Sequence, residues 1–196
     1  MLFCFSVYKD KSSPHTMAET LVISGTHRPG SYTRRVSGYI LEQLNAQGHQ
    51  ADLFDLQDLP ADFLKAEMFG QRTEGFREVE NQLKEAKSYI WVLPEYNGGF
   101  PGVAKLLIDS MNPREVFRGK QAALVGVSSG KFGNQRGLDM FTLVLNYIQV
   151  EVLPFKPHLM KIGQAPNWPE GYDMDELEAF LSQYSAYVGR LSARTV

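Results

Sequence analysis

The segment Leu93–Asp109, with the sequence LPEYNGGFPGVAKLLID, most constrains how this chain can fold. An uninterrupted apolar run, Tyr89–Leu93, leads into it and is typical of a buried strand. Pro94, Asn97 and two glycines then mark a turn, and an apolar pattern with helical spacing begins near Gly102. A strand that passes through such a turn into a helix is half of a βαβ unit.

The turn of this unit could bind a ligand or could only connect the two elements. Gly98 and Gly99 allow positive φ or a close approach of the backbone to a ligand. Tyr96 and Asn97 would stand at the carboxyl end of a strand, where open α/β sheets bind ligands. Pro101 suits the first helical turn, where its missing N–H costs nothing. From this segment alone, a turn without a ligand explains the residues equally well.

A second polar turn, GTHRPGSYT, follows the first predicted strand, Thr20–Ser24. It matches neither the Walker phosphate loop nor the G-x-G-x-x-G dinucleotide pattern. It nevertheless combines hydroxyl donors with a guanidinium. Ser31 is also a suitable N-cap, so the N–H groups of the following helix would point to the same place. These donors favour a phosphate site over a capped helix with an incidental surface arginine; they are Thr26, Arg28, Ser31 and Thr33.

The rest of the chain alternates between predicted strands and helices. Further strands are predicted at Ala51–Leu56, Gln121–Val127 and Gln149–Leu153. A helix is predicted over about Glu74–Ala86, and a last helix is predicted to begin at Asp173 with Glu176 in a capping-box analogue. Residues 154–172 contain four prolines and are predicted to be a surface connection. Five strands alternating with five helices predict one doubly wound parallel sheet with helices on both faces.

A third polar loop, SSGKFGNQRG, covers residues 128–137 after the fourth strand. In the strand order 2-1-3-4-5, the first, third and fourth strands are adjacent, so their polar loops would open at the same switch point. One loop is suited to phosphate, and the others bring an aromatic ring, an amide, small hydroxyls and glycine backbone. A phosphate at one end and a flat heterocycle at the other predict a mononucleotide such as FMN.

Four motifs carry a family resemblance over about residues 20–154: GTHRPGSYT, DLQDLP, PEYNGGFPG followed by AK, and LVGVSSGKFGNQRG. In these motifs the chain resembles the NADPH-dependent FMN reductase family, which includes flavin, quinone, chromate and azo-dye reductases. The resemblance implies a flavodoxin-like fold, bound FMN and two-electron reduction by NADPH or NADH. It also implies a small-molecule electron acceptor and a homo-oligomer, a dimer or tetramer, with the flavin near the subunit interface.

The resemblance also assigns site residues. The phosphate would be held by Thr26, Arg28, Ser31 and Thr33, with Tyr32 among them. The isoalloxazine ring would be lined by Pro94, Glu95, Tyr96, Asn97 and Gly98, and its other edge by Ser128, Ser129, Gly130 and Lys131. The flavin would carry the chemistry, so no catalytic side chain is assigned. Because AKLLIDSM replaces the family's usual LKNAIDW, the substrate and the dimer contact stay open.

Composition limits the other classes of function. A net charge of −2 over 196 residues argues against a nucleic-acid binder and against a polybasic membrane patch. The single cysteine, Cys4, fits a reducing cytoplasm, and no spacing of His, Cys or carboxylates indicates a metal site. Residues 1–19 are predicted to be a disordered N-terminal extension, either an upstream start or an arm, and residues 20–196 a single domain.

Two other functions stay open, a flavodoxin-like one-electron carrier and a flavin-binding module without turnover. Large apolar residues near the loops predict a two-fold interface formed by helices at about 101–112 and 135–148. These residues are Phe100, Met111, Phe117, Phe132, Met140 and Phe141. The alternative is that they pack under the 60–72 and 154–172 segments of the same chain.

Overall fold

A computed structural model describes residues 18–61, 63 and 72–192 of this chain. The predicted extension therefore falls largely outside the described residues, as does most of the irregular segment 60–72. The strands are β1 (Thr20–Ser24), β2 (Ala51–Asp55), β3 (Ser88–Pro94), β4 (Gln121–Val127), β5 (Glu151–Val152) and β6 (His158–Leu159). The helices are α1 (Tyr32–Ala46), α2 (Glu74–Glu85), α3 (Gly102–Ser110), α4 (Pro113–Val116), α5 (Gln135–Tyr147) and α6 (Asp175–Ser192).

The sheet is parallel and has the predicted order, β2-β1-β3-β4-β5. A sixth strand, β6, also pairs with β4, at Gly126 and Val127, whereas β5 pairs with its opposite end at Gln121 and Ala122. The prediction of a plain surface connection over 154–172 is therefore wrong. That segment supplies β6 and the buried side chain of Trp168, because its apolar residues cover the sheet between the prolines.

Two apolar layers enclose the sheet. Alternate residues of β1 point to opposite faces, so Leu21 and Ile23 join the layer of α2, α3 and α5, and Val22 joins the layer of α1 and α6. The helices on both faces confirm the doubly wound architecture. Because both faces are covered, β1, β3 and β4 are buried along their whole length, and the loops at their carboxyl ends reach the surface.

Two predicted helix starts differ from the structure. Pro101 is the N-cap of α3 and not a residue of its first turn. The capping box predicted at Asp173 and Glu176 is wrong, because the carboxylate of Glu176 instead accepts a 2.8 Å hydrogen bond from the backbone N–H of His158. Asp173 accepts from the N–H of Asp175 and closes the turn before α6. Glu176 thus ties α6 to β6. No helix in the described part of the chain is long and apolar enough to cross a membrane.

Candidate functional site

Three loops leave the carboxyl ends of β1, β3 and β4, which are neighbours in the sheet. We call them the first loop (residues 25–31), the third loop (95–101) and the fourth loop (128–134). Parallel neighbouring strands end at the same edge, so these loops open onto one crevice at the topological switch point. This crevice is the candidate functional site.

Thr26 is the most enclosed polar residue of the first loop. Its side chain is only 1% exposed, and its Oγ1 accepts a 3.2 Å hydrogen bond from the N–H of Arg28. The same oxygen lies 2.6 Å from the hydroxyl of Tyr96 in the third loop. This contact brings together two predicted site residues that are 70 positions apart in the sequence. The Arg28 side chain, by contrast, is exposed.

Ser31 and Thr33 lie at the start of α1. Ser31 is the N-cap and accepts from the N–H of Arg34 at 3.2 Å, so the predicted cap is confirmed. Thr33 is buried in the first turn, and Tyr32 lies half-buried with the guanidinium of Arg35 5.0 Å above its ring. The open N–H groups of this helix end therefore lie beside the hydroxyls of the first loop, a setting that attracts anions.

Arg34 is a neighbour of the first loop that the sequence reasoning missed. Its guanidinium pairs with the carboxylate of Asp55, the last residue of β2, which is almost fully buried. The second oxygen of Asp55 accepts from the N–H of Gln57 at 3.1 Å. A buried carboxylate needs such partners, because desolvating its charge is costly. The sequence did contain a signal for this pair. Asp55 is an acidic residue near the end of the predicted second strand, and β2 lies next to β1, which leads into the first loop and then to Arg34.

The third loop is a tight turn at its tip. Asn97 and Gly98 both have positive φ, 53° and 77°, and Tyr96 and Gly99 exchange hydrogen bonds of 2.9 and 3.1 Å. This is the pattern of a type I′ turn, for which Asn-Gly is the preferred pair. The N–H of Gly99 is used inside the turn, whereas those of Asn97 and Gly98 donate to no described residue. They are therefore available as donors at the tip of the loop.

Asn134 joins the third and fourth loops and was not predicted. Its Nδ2 donates to the carbonyls of Leu93 and Pro94 at 3.0 and 3.1 Å, although the residue holds a left-handed φ of 64°. Its own N–H donates to the carboxylate of Glu95 at 3.3 Å. The Glu95 carboxylate is therefore hydrogen-bonded just before the start of α5. The last two carbonyls of β3 each receive a hydrogen bond from Asn134 of the fourth loop.

Ser128 organises the fourth loop from within. Its hydroxyl donates to the carbonyl of Gly130 at 3.1 Å and accepts from the N–H of Gly133 at 3.0 Å. Gly130 also accepts from the N–H of Lys161, which fastens this loop to the segment after β6. Ser129, Gly130 and Lys131 are exposed. The loop is thus held in shape by Ser128 and offers its other predicted residues to the surface.

The chemistry of this crevice fits FMN. Hydroxyls, a helix N-terminus and the Arg28 side chain at the first loop suit a phosphate dianion, and the 96–99 turn offers the N–H groups of Asn97 and Gly98 beside an aromatic ring. FMN, when bound, supplies the two-electron redox chemistry. The protein's own residues would bind the cofactor, orient it and shield it from water. The Thr26–Tyr96 contact sets the distance between the first and third loops, and Asn134 sets the distance between the third and fourth.

The strand order and the three converging loops define a flavodoxin-like α/β protein. The family model described as NADPH-dependent FMN reductase matches residues 18–160, and the chain belongs to this family. It is an NAD(P)H-dependent oxidoreductase that uses FMN. Of the three functions that the sequence left open, the chain therefore has that of an enzyme, and not that of an electron carrier or of a flavin-binding module without turnover.

Individual relatives are similar to different extents. An NAD(P)H-dependent FMN reductase of Pseudomonas aeruginosa is 34% identical over 155 residues, which are 76% of this chain and 80% of that protein. An FMN-dependent NADPH-azoreductase of Staphylococcus aureus is 27% identical over 117 residues, 56% of this chain and 60% of that protein. The crystal structure of an NADH:FMN oxidoreductase in its apo form has a TM-score of 0.67 at 18% identity, covering 89% of each chain, and supports the fold.

Proposed function

We propose that FMN binds across the three loops, with its phosphate at the first loop and its ring between the third and fourth. The observation that carries this proposal is the Thr26–Tyr96 contact, which closes the first loop against the third. The residues proposed to hold the phosphate are Thr26, Arg28, Ser31, Tyr32 and Thr33. The residues proposed to line the isoalloxazine ring are Pro94, Glu95, Tyr96, Asn97, Gly98, Ser128, Ser129, Gly130 and Lys131. In this proposal residues 20–196 form the domain and the predicted extension precedes it, although the last residue of that extension, Glu19, already pairs with the sheet by donating to the carbonyl of Gln50 and accepting from the N–H of Ser88.

We propose that the acceptor is a flat, conjugated small molecule such as a quinone, a free flavin or an azo compound, and that the protein works in the cytoplasm. The named activities of the Pseudomonas and Staphylococcus relatives support this class of acceptor. Steady-state NADPH and NADH oxidation with a panel of these acceptors and chromate tests it. Turnover with at least one flat acceptor is expected. Turnover with chromate alone would contradict the proposal.

We further propose that two copies associate through α5. Its outward face carries Met140, Leu143 and Tyr147, which are 52%, 71% and 89% exposed. Their spacing of three and four residues makes one continuous apolar stripe. Of the six large apolar residues from which the interface was predicted, Met111, Phe117 and Phe141 are buried in the core, because α3, α4 and α5 pack on the sheet through them. A second copy is the natural cover for the remaining stripe, since closed two-fold pairs are the commonest assemblies.

Light scattering after size exclusion tests the association. The wild-type chain should elute at about twice the monomer mass of 22.1 kDa or at a higher multiple. Leu143→Glu should shift it to the monomer because a charge would be buried in the contact. Asn146→Glu adds the same charge at an exposed polar position of the same helix and should leave the mass unchanged. A wild-type monomer would contradict this part of the proposal.

A further inference from the structure

Arg136 stands at the rim of the candidate site in an arrangement that fold stability does not explain. It lies in the first turn of α5, where the helix end carries partial positive charge, and that turn contains no acidic residue. A cation at this end is unfavourable for the helix. No carboxylate of the described residues lies within ion-pair distance of its guanidinium, and the nearby Asp139 is paired with Lys156 at 3.4 Å.

Two neighbours fix where the guanidinium sits. Its central carbon lies 5.9 Å from the centre of the Phe132 ring, and that ring is 61% exposed. Its Nη1 lies 3.9 Å from the point that a Cβ on Gly98 would occupy. The charge is therefore held between an exposed aromatic platform and the tip of the third loop. The guanidinium therefore approaches the turn at Gly98 closely enough that a methyl group there would touch it.

We infer that Arg136 recognises an oxyanion carried by the molecule that enters over the flavin. An arginine fork with free donors is the side chain best suited to phosphate, sulfonate or carboxylate. Lys131, also exposed in the fourth loop, and the start of α5 add positive potential on the same side. The oxyanion belongs either to the nicotinamide donor, which carries phosphates, or to an anionic acceptor. This inference rests on the proposed flavin site and names a specificity-determining residue for it.

The position of Arg136 also relates it to the proposed interface. Residues 136, 140, 143 and 147 follow one helical stripe, and Arg136 is at the end of that stripe nearest the site. Loss of Arg136 could therefore act through assembly instead of through ligand recognition. The test has to measure the mass of each variant as well as its kinetics.

The experiment follows the two half-reactions of the FMN-loaded protein separately by stopped flow. Flavin reduction is measured against NADPH and NADH, and flavin reoxidation against a sulfonated azo dye and a neutral quinone. Arg136→Ala should lower the apparent second-order rate for the anionic molecule that the site recognises by about ten- to a hundredfold, the size of a lost charge-assisted hydrogen bond. The neutral quinone, the affinity for FMN and the mass should not change.

Three further variants sharpen the result. Arg118→Ala removes the same charge from an exposed residue before β4, at the opposite edge of the sheet, and should behave as the wild type. Arg136→Lys should recover only part of the rate, because lysine keeps the charge and loses the planar fork. Phe132→Leu should give a smaller loss than Arg136→Ala, since it removes only the platform.

The outcomes separate the possible sources and failures. If Arg136→Ala lowers the rate of flavin reduction by NADPH alone or by both nucleotides, the oxyanion belongs to the donor. If it lowers only the rate of reoxidation by the dye, the oxyanion belongs to the acceptor. Three results would overturn the inference without contradicting the proposed flavin site. They are equal rates for Arg136→Ala and Arg118→Ala with every molecule, an equal loss of rate with the neutral quinone, and a change of mass in Arg136→Ala. Failure of the wild type to bind FMN would overturn both.

Discussion

The hydroxyl groups of Thr26 and Tyr96 lie 2.6 Å apart and join the first loop of the candidate site to the third. Thr26 is buried at the end of β1, and Tyr96 follows the end of β3. The two strands are direct neighbours in the sheet, with Ser24 opposite Val92. The contact therefore makes the region proposed for phosphate and the region proposed for the ring one structural unit.

Removing either hydroxyl should weaken FMN binding through this shared contact. Thr26→Val and Tyr96→Phe should each raise the dissociation constant about two- to tenfold, as expected for a neutral hydrogen bond of about 0.5–1.5 kcal/mol. The double variant should lose little more than Thr26→Val alone, because Thr26→Val already breaks the bond to Tyr96 as well as the one from the Arg28 N–H. Quenching of flavin fluorescence measures all four affinities, and additive losses would show that the two residues act separately.

Arg28 should act on the phosphate alone. Arg28→Ala should weaken FMN about ten- to a hundredfold, the size of a charge-assisted hydrogen bond of roughly 1.5–3 kcal/mol, and should scarcely affect riboflavin. Arg35→Ala is the matched control, because the Arg35 side chain donates to the carbonyl of Pro166 at 3.0 Å and packs on Tyr32. Titration of each variant with both flavins decides the matter. Equal losses for FMN and riboflavin would place Arg28 elsewhere.

Asn134 should matter for both stability and the site. Asn134→Ala removes the amide donor that reaches the carbonyls of Leu93 and Pro94, which should cost about 1–3 kcal/mol of the free energy of unfolding. FMN binding should weaken as well, since the third and fourth loops lose their link. Urea unfolding and flavin titration measure the two effects, with the exposed Asn146→Ala as control. A variant as stable as the wild type would contradict this role.

Lys120 should make stability depend on pH. Its Nζ donates to the carbonyls of Leu83 and Lys84, both at 2.7 Å, which favours the charged form, but burial is the larger effect and lowers the pKa of Lys120 to about 8. In the unfolded chain the pKa is about 10.4. Between these values the unfolded chain binds more protons, so the free energy of unfolding should rise from pH 8 to pH 10.

The trend should reverse at higher pH. Burial raises the pKa of Tyr89, and it raises the pKa of Tyr184 to about 12, so above pH 10 the folded chain keeps protons that the unfolded chain has lost. Urea unfolding between pH 7 and pH 11 measures both limbs. Lys120→Met should abolish the rise and keep the fall. If its curve ran parallel to that of the wild type, Lys120 would not be the source.

Much of the sheet could be predicted because its signals are local. The boundaries of β4 agree with the prediction, and the N-cap at Ser31 and the turn at Asn97 and Gly98 follow from residue chemistry that acts over a few positions. β6 was missed because a two-residue strand between prolines has no periodicity of its own. It forms only because β4 extends beyond β5 and offers Gly126 and Val127 as partners.

The contacts that build the site could not be predicted in the same way. Thr26 with Tyr96, Arg34 with Asp55, and Asn134 with the end of β3 each join residues from different strands or loops. Periodicity and capping rules give no distance between such residues. Helical spacing from Leu138 and Leu145 does separate Phe141, which is fully buried, from Met140 beside it, which is half exposed. That spacing gives no information on what covers Met140.

The most direct test of the account is NADPH oxidation by the purified, FMN-loaded protein with a quinone or free flavin as acceptor. The account predicts one FMN per chain, rapid loss of the oxidised flavin absorbance on mixing with NADPH under anaerobic conditions, and many turnovers when the acceptor is added. A yellow protein that NADPH does not reduce, or that passes on no electrons after one reduction, would contradict it.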